Sequence, residues 1–140
     1  MSKTYKLEIP SDPDMIVEVD TFAEERIDKM KFSQDQRDDI AISISEAVNN
    51  AIEHGNEGDR SKLVKIELEE LSDGVLIRVR DQGTGFDPQK VADPTDPENL
   101  LAESGRGLLI IRHLMDEVNV VAEKTGTLIE MIKRFKNGDK

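Results

Sequence analysis

No cysteine occurs among the 140 residues, so the fold cannot rest on disulfides or on thiolate-bound zinc, and a reducing compartment suits it. Long hydrophobic runs are missing too. No stretch approaches the roughly 18 apolar residues of a membrane span, and the first residues lack the basic region and apolar core of a secretory signal. The expectation is a soluble, cytoplasmic protein with no membrane partner. Positive charge is scarce: 19 Lys and Arg stand against 30 Asp and Glu, a formal charge of −11. A field of that sign repels phosphodiester backbones and argues against direct nucleic-acid binding, whereas a basic protein partner is easily accommodated. The same charge also serves solubility, and composition does not choose between the two readings. The length fits one domain spanning residues 1–140 that buries roughly two-thirds of its unfolded surface.

Two kinds of hydrophobic period are present. Tyr5 to Ile9 predicts a short strand, ended by Pro10 and the Ser11-Asp12-Pro13-Asp14 stretch. Met15, Val19, Phe22, Ala23, Ile27 and Met30 then recur at helical spacing. Ser33 and Gln36 make a capping-box pattern for a second helix expected to run to His54 and stop at Gly55. Its apolar arc holds Ile40, Ala41, Ile44, Ala47, Val48, Ala51 and Ile52, with Ser43, Glu46, Asn49, Asn50, Glu53 and His54 opposite. Leu63 to Leu71 and Val75 to Val79 alternate about a Ser72-Asp73-Gly74 turn, which predicts a hairpin with one covered face and helices on that side. A helix from Gly107 to Met115, a strand from Val118 to Ala122, a turn at Lys124-Thr125-Gly126 and a strand from Leu128 to Ile132 complete the pattern. The basic end from Lys133, and most clearly residues 135–140, reads as a frayed tail. Residues 87–104, with Pro88, Pro94 and Pro97, form a long loop best explained as a lid or binding segment.

The polar arc of the second helix is unusual. It carries no lysine or arginine, spends adjacent positions on Asn49 and Asn50, and admits the apolar Ile42, as a pocket wall would. Glu46 and Asn50 sit one turn apart on it. The amide oxygen of Asn50 suits a hard cation such as magnesium, and Glu46 is a candidate general base. Asp81, followed by Gly83 and Gly85, reads on its own as a turn. In a nucleotide site it has a second use, its carboxylate accepting from the adenine amine while the glycines admit the flat base. Gly105-Arg106-Gly107 precedes a helix start and can aim backbone amides at phosphate, although Gly-x-Gly there is also common loop chemistry. Neither a G-x-x-x-x-G-K-[ST] sequence nor a G-x-G-x-x-G strand-to-helix turn occurs, which argues against P-loop and Rossmann sites. His54 and His113 are read as structural.

Taken in order, Glu46-x-x-x-Asn50-Ala51, Asp81-x-Gly83-x-Gly85-Phe86, Gly105-x-Gly107-Leu108 and Gly126-Thr127 resemble the GHKL ATPase superfamily over about residues 4 to 134. Glu46 through Gly55 and Leu114-Met115-Asp116-Glu117-Val118 look most like its anti-sigma-factor serine kinase branch. The resemblance implies an α/β sandwich whose mixed, mainly antiparallel sheet carries helices on one face. It implies ATP or ADP with Mg2+ as ligands, Asn50 on the metal, Glu46 as base, and Asp81 at adenine with Thr127 assisting. Gly83 and Gly85 would sit in the base-contacting loop, and Gly105 and Gly107 would flank the lid; Arg106 is no fixed family position. Members of this branch sequester a sigma factor and phosphorylate a small STAS-domain antagonist, and a homodimer is implied. The histidine-kinase branch fits less well, because the Asn-Lys pair frequent there is replaced by Asn50-Ala51 and no dimerising helix pair precedes the motifs. A nucleotide-regulated binding module without phosphotransfer would use the same binding motifs; the intact Glu46 favours the kinase.

Overall fold

Alternation in the strands builds one wall of the core. The computed structural model describes residues 3–83 and 107–136, and within them five strands pair in the order β1-β2-β3-β5-β4. These are β1 (Thr4–Pro10), β2 (Leu63–Leu71), β3 (Gly74–Arg80), β4 (Glu117–Glu123) and β5 (Gly126–Arg134). Every described pairing is antiparallel. Register brings Leu7 opposite Ile66, Ile66 opposite Val79, and Val79 opposite Ile129, so one face of the sheet is apolar across its width. The other face carries charge. Arg78 bridges Glu69 and Glu130, and Arg80 bridges Glu67 and Glu123, all at 3.1 to 3.2 Å. These cross-strand pairs keep the uncovered side solvated and in register.

Three helices cover the apolar face: α1 (Ile16–Ile27), α2 (Gln34–Asn50) and α3 (Gly107–Leu114). A short 3-10 turn over Pro13–Met15, capped by the Asp12 side chain, leads into α1. α1 buries Val19, Phe22, Ala23 and Ile27, the stripe its spacing predicted. α2 is wedged between α1 and α3 and also touches β3 and β5. That placement corrects two details of its expected faces. Ser43 is fully buried although it falls on the polar arc, and Ala41 is exposed although it falls on the apolar one. Flanking helices bury the sides of a central helix, so a single stripe does not describe it.

The capping box at the start of α2 forms as expected. Ser33 Oγ accepts from the Gln36 amide, and Gln36 Oε1 accepts from the Ser33 amide, both at 3.2 Å. Gln36 also donates through Nε2 to the Arg134 carbonyl at 2.7 Å, tying the helix start to the end of β5. The first residues of the expected tail are instead held in the fold. Lys133 is buried, donating to Asp39 and to the Leu114 carbonyl at the end of α3, and Phe135 packs on Phe32 with ring centroids 4.6 Å apart. Residues 137–140 lie outside the described part. Replacing the nearly buried Gln36 with Ala removes two bonds and leaves a carbonyl unpaired. We expect a loss of about 1–3 kcal/mol in unfolding free energy. Urea denaturation should show a lower midpoint with an unchanged slope.

Candidate functional site

Glu46 and Asn50 owe their position to the way α2 ends. The α-helix does not reach His54 as predicted; it stops at Asn50 and widens into a π-helical turn over Ala51–Gly55. The Asn56 amide closes that turn on the Ala51 carbonyl at 2.8 Å. Both candidate side chains are half-buried on the last turns of α2. The start of α3 lies against them: a β-carbon built on Gly107 would sit 3.0 Å from Glu46 Oε2 and 3.7 and 3.8 Å from the Asn50 amide atoms. The structure thus brings Glu46, Asn50 and Gly107 together. The start of α3, at the positive end of its dipole, is beside the carboxylate and the amide.

A second cluster surrounds Asp81 at the exit of β3. The residue is 8% exposed, and Oδ1 accepts from the amides of Gly83 at 3.0 Å and Thr127 at 2.9 Å. The Asp81 amide in turn donates to the Thr127 carbonyl at 3.1 Å. Oδ2 receives no hydrogen bond among the described residues. Two glycines make this packing possible. A β-carbon on Gly55 would fall 2.0 Å from Asp81 Oδ2, and one on Gly126, whose φ is +147°, would fall 2.1 Å from the Asp81 carbonyl oxygen. Burial raises the Asp81 pKa above the usual carboxylate range, while the Gly83 and Thr127 amides pull it partly back. A buried carboxylate with one oxygen held and the other open is a preformed acceptor.

Of the residues singled out from sequence, Glu46, Asn50 and Gly107 form the first cluster, and Asp81, Gly83 and Thr127 form the second. Gly85, Gly105, Arg106 and the expected lid at 87–104 lie outside the described residues. His54 is exposed on the π turn, and His113 is exposed on α3 instead of packing with its apolar neighbours. Sequence reasoning passed over Asn56. It is fully buried and spends its side chain on three hydrogen bonds. Its one signal was its place directly after Gly55, where a buried amide must satisfy the chain leaving a helix.

Glu46 also lines a groove of about 730 Å³ between α1 and α2, with an apolar floor that includes Ala23, Ile27, Ile40 and Ile44. Asp20, Glu24, Asp28 and Asp38 make its lining acidic. Glu46 is therefore approached from two sides, by the start of α3 and by this groove.

A family model described as a histidine kinase-like ATPase domain matches residues 9–133. Among curated proteins, the chain is 37% identical over 111 residues to the serine-protein kinase RsbW of Bacillus licheniformis, covering 75% of this chain and 69% of that protein. It is 29% identical over 141 residues to the serine-protein kinase RsbW of Bacillus subtilis strain 168, covering 96% and 87%. Among solved structures, the RsbU and RsbW domains of a Mycobacterium tuberculosis protein superpose with a TM-score of 0.66 at 19% identity, over 94% of this chain and 32% of that one. The catalytic domain of histidine kinase ThkA gives 0.54 at 19% identity, over 97% and 99%. The structural likenesses speak for the fold.

Proposed function

Because the chain belongs to the histidine kinase-like ATPase domain family, we propose that it is an ATP-dependent serine/threonine protein kinase and anti-sigma factor. It sequesters a sigma factor and phosphorylates a hydroxyl of a STAS-domain antagonist. Relatives named as serine-protein kinases support the activity. The observation that carries the reading is the seat of Gly107 on Glu46 and Asn50, with the open oxygen of Asp81 on a separate element. One part suits a phosphate tail and its metal, the other a base with an amine.

The residues present fit such a ligand. A side chain at position 107 would crowd the space beside Glu46 and Asn50, and Asp81 Oδ2 receives no donor among the described residues. When bound, magnesium-ATP supplies the phosphoryl group and the charge that offsets its developing negative oxygens. Asn50 would offer its amide oxygen to the metal. Asp81, held by the Gly83 and Thr127 amides, accepts from the exocyclic amine of adenine, and Thr127 assists at the base. Glu46 accepts the proton of the incoming hydroxyl, a role on the order of 10²- to 10⁴-fold in rate. Gly107 would leave room for the phosphates beside Glu46 and Asn50, and the roles expected of Gly85, Gly105 and Arg106 fall outside the described residues. Most of the acceleration comes from positioning, since the transferred group requires little covalent help.

No helix among the described residues is long and apolar enough to cross a membrane. A cytoplasmic homodimer that contacts neither nucleic acid nor membrane completes the proposal. Its first test is thermal. ATP with magnesium at about 100 times its dissociation constant should stabilise the fold by roughly 2.7 kcal/mol, a rise of several degrees in Tm. An unchanged Tm at saturating nucleotide would remove the ligand from the reading. Transfer of labelled phosphate from ATP to a serine or threonine of the antagonist would then test the kinase itself.

A further inference from the structure

Asp81 can discriminate between bases only if its carboxylate is already aimed when the nucleotide arrives. Oδ1 is fixed by two amides and the Asp81 amide still bonds the Thr127 carbonyl of β5, but the backbone leaves the sheet ladder directly after it. Residue 82 is held by something else. Asn56, Leu63 and Gln82 form a closed ring of hydrogen bonds on the residue that follows Asp81. The Gln82 amide donates to Asn56 Oδ1 at 2.7 Å, Asn56 Nδ2 donates to the Leu63 carbonyl at 3.0 Å, and the Leu63 amide donates to Gln82 Oε1 at 2.6 Å. Gln82 is thereby gripped at its main chain and at its side-chain end. Asn56 is anchored in turn, since Nδ2 also donates to Ser11 Oγ at 2.7 Å and its own amide closes the π turn. Ser11 Oγ passes the connection on to the Lys62 carbonyl at 2.8 Å.

We propose that Asn56 and Gln82 are positioning residues for base selection, holding Asp81 aimed at a 6-amino purine and against a 6-oxo purine. Asn56 acts through the backbone of residue 82. Asn56 is 0% exposed, and it faces the backbone of residue 82 from behind. The chemistry follows from Asp81 Oδ2, which receives no donor among the described residues. An exocyclic amine donates to it, whereas a 6-oxo group brings an acceptor against an acceptor, and a rigid site penalises that mismatch far more than a loose one. The same ring joins the π turn that follows Asn50 to the segment that carries Asp81. The metal-side and base-side clusters therefore keep a fixed separation, which bears on affinity for the whole nucleotide.

This inference rests on the reading of Asp81 as the base acceptor, and the experiment separates the two. Dissociation constants for ATP and inosine triphosphate, each with magnesium, would be measured by calorimetry on the full chain and on Asn56→Ala, Gln82→Ala and Asp81→Asn. The preference for ATP should fall at least ~10-fold in Asn56→Ala, a change of about 1.4 kcal/mol, and by a smaller factor in Gln82→Ala. Asp81→Asn should erase it. General destabilisation lowers the folded fraction equally for both nucleotides and leaves their ratio unmoved, so the ratio isolates positioning. Should Asn56→Ala fail to fold, Gln82→Ala carries the test, because Gln82 is exposed. A ratio within twofold of wild type in the ring variants, with the preference lost in Asp81→Asn, would overturn the positioning role. A ratio unmoved by Asp81→Asn would overturn the base assignment itself, and this proposal with it.

Discussion

Glu46→Gln is expected to bind ATP with an affinity close to that of the parent chain and to transfer phosphate about 10²- to 10⁴-fold more slowly. The substitution keeps the volume and shape of a side chain whose Oε2 faces the start of α3, so Gly107 retains its seat and Asn50 its surroundings. What disappears is the ability to accept a proton. A residue needed only in the transition state lowers kcat without raising the dissociation constant for ATP, which is the signature to look for. Single-turnover transfer from labelled ATP to the antagonist, beside a calorimetric dissociation constant, measures both halves. Undiminished transfer would take Glu46 out of the mechanism. Weakened ATP binding with an unchanged turnover would make it a structural support instead. The nucleotide-switch alternative predicts no phosphorylated antagonist from the parent chain either, and the same assay distinguishes it.

The parts of this fold that follow from local rules were legible in the sequence. Strand alternation at Val64, Ile66, Leu68 and at Val75, Ile77, Val79 marks one buried face, and those side chains are buried. The Ser33 and Gln36 capping box is a local motif and forms locally. Where a residue answers to two neighbours at once, local period fails. Ser43 is buried because α2 is covered on both flanks, and Lys133 is buried because an acidic side chain and the end of a helix converge on it. No window of sequence around either residue contains that information.

The candidate site divides along the same line. Glu46 and Asn50 stood out through the oddity of a polar face without basic residues, a property of one helix. Asp81 needed the glycines after it to gain meaning, yet two of the glycines packed on it, Gly55 and Gly126, lie far away in sequence. Gly55 read as a stop signal and Gly126 as a turn. Each has that role, and each also admits the Asp81 carboxylate or its carbonyl at a distance that no β-carbon permits. The π turn was invisible for a related reason, since its sequence, Ala51-Ile52-Glu53-His54-Gly55, continues the helical period. Widening that turn brings Gly55 onto Asp81 and places Asn56 in reach of Gln82.

Asp81→Asn should uncouple stability from function. The buried carboxylate has a raised pKa in the folded chain, mainly from desolvation. A carboxyl whose folded pKa lies above its unfolded value contributes stability below the unfolded pKa and loses it as pH rises through the folded one. At neutral pH the ionised group is therefore a net cost to the ligand-free fold. Asparagine removes the charge and keeps Oδ1 as acceptor for the Gly83 and Thr127 amides. The ligand-free variant should melt at or above the temperature of the parent chain at pH 7, and the difference should shrink as the pH is lowered into the carboxylate range. Nucleotide binding should go the other way. The amide nitrogen at the place of Oδ2 sets a donor against the adenine amine, and a site built around one such bond loses roughly 10²-fold or more in affinity when the bond is replaced by a mismatch. Melting curves with and without ATP, across pH, test both halves. A variant that unfolds several degrees early would make Asp81 a structural anchor, and one that keeps the full ATP-dependent rise in Tm would show that another group reads the base.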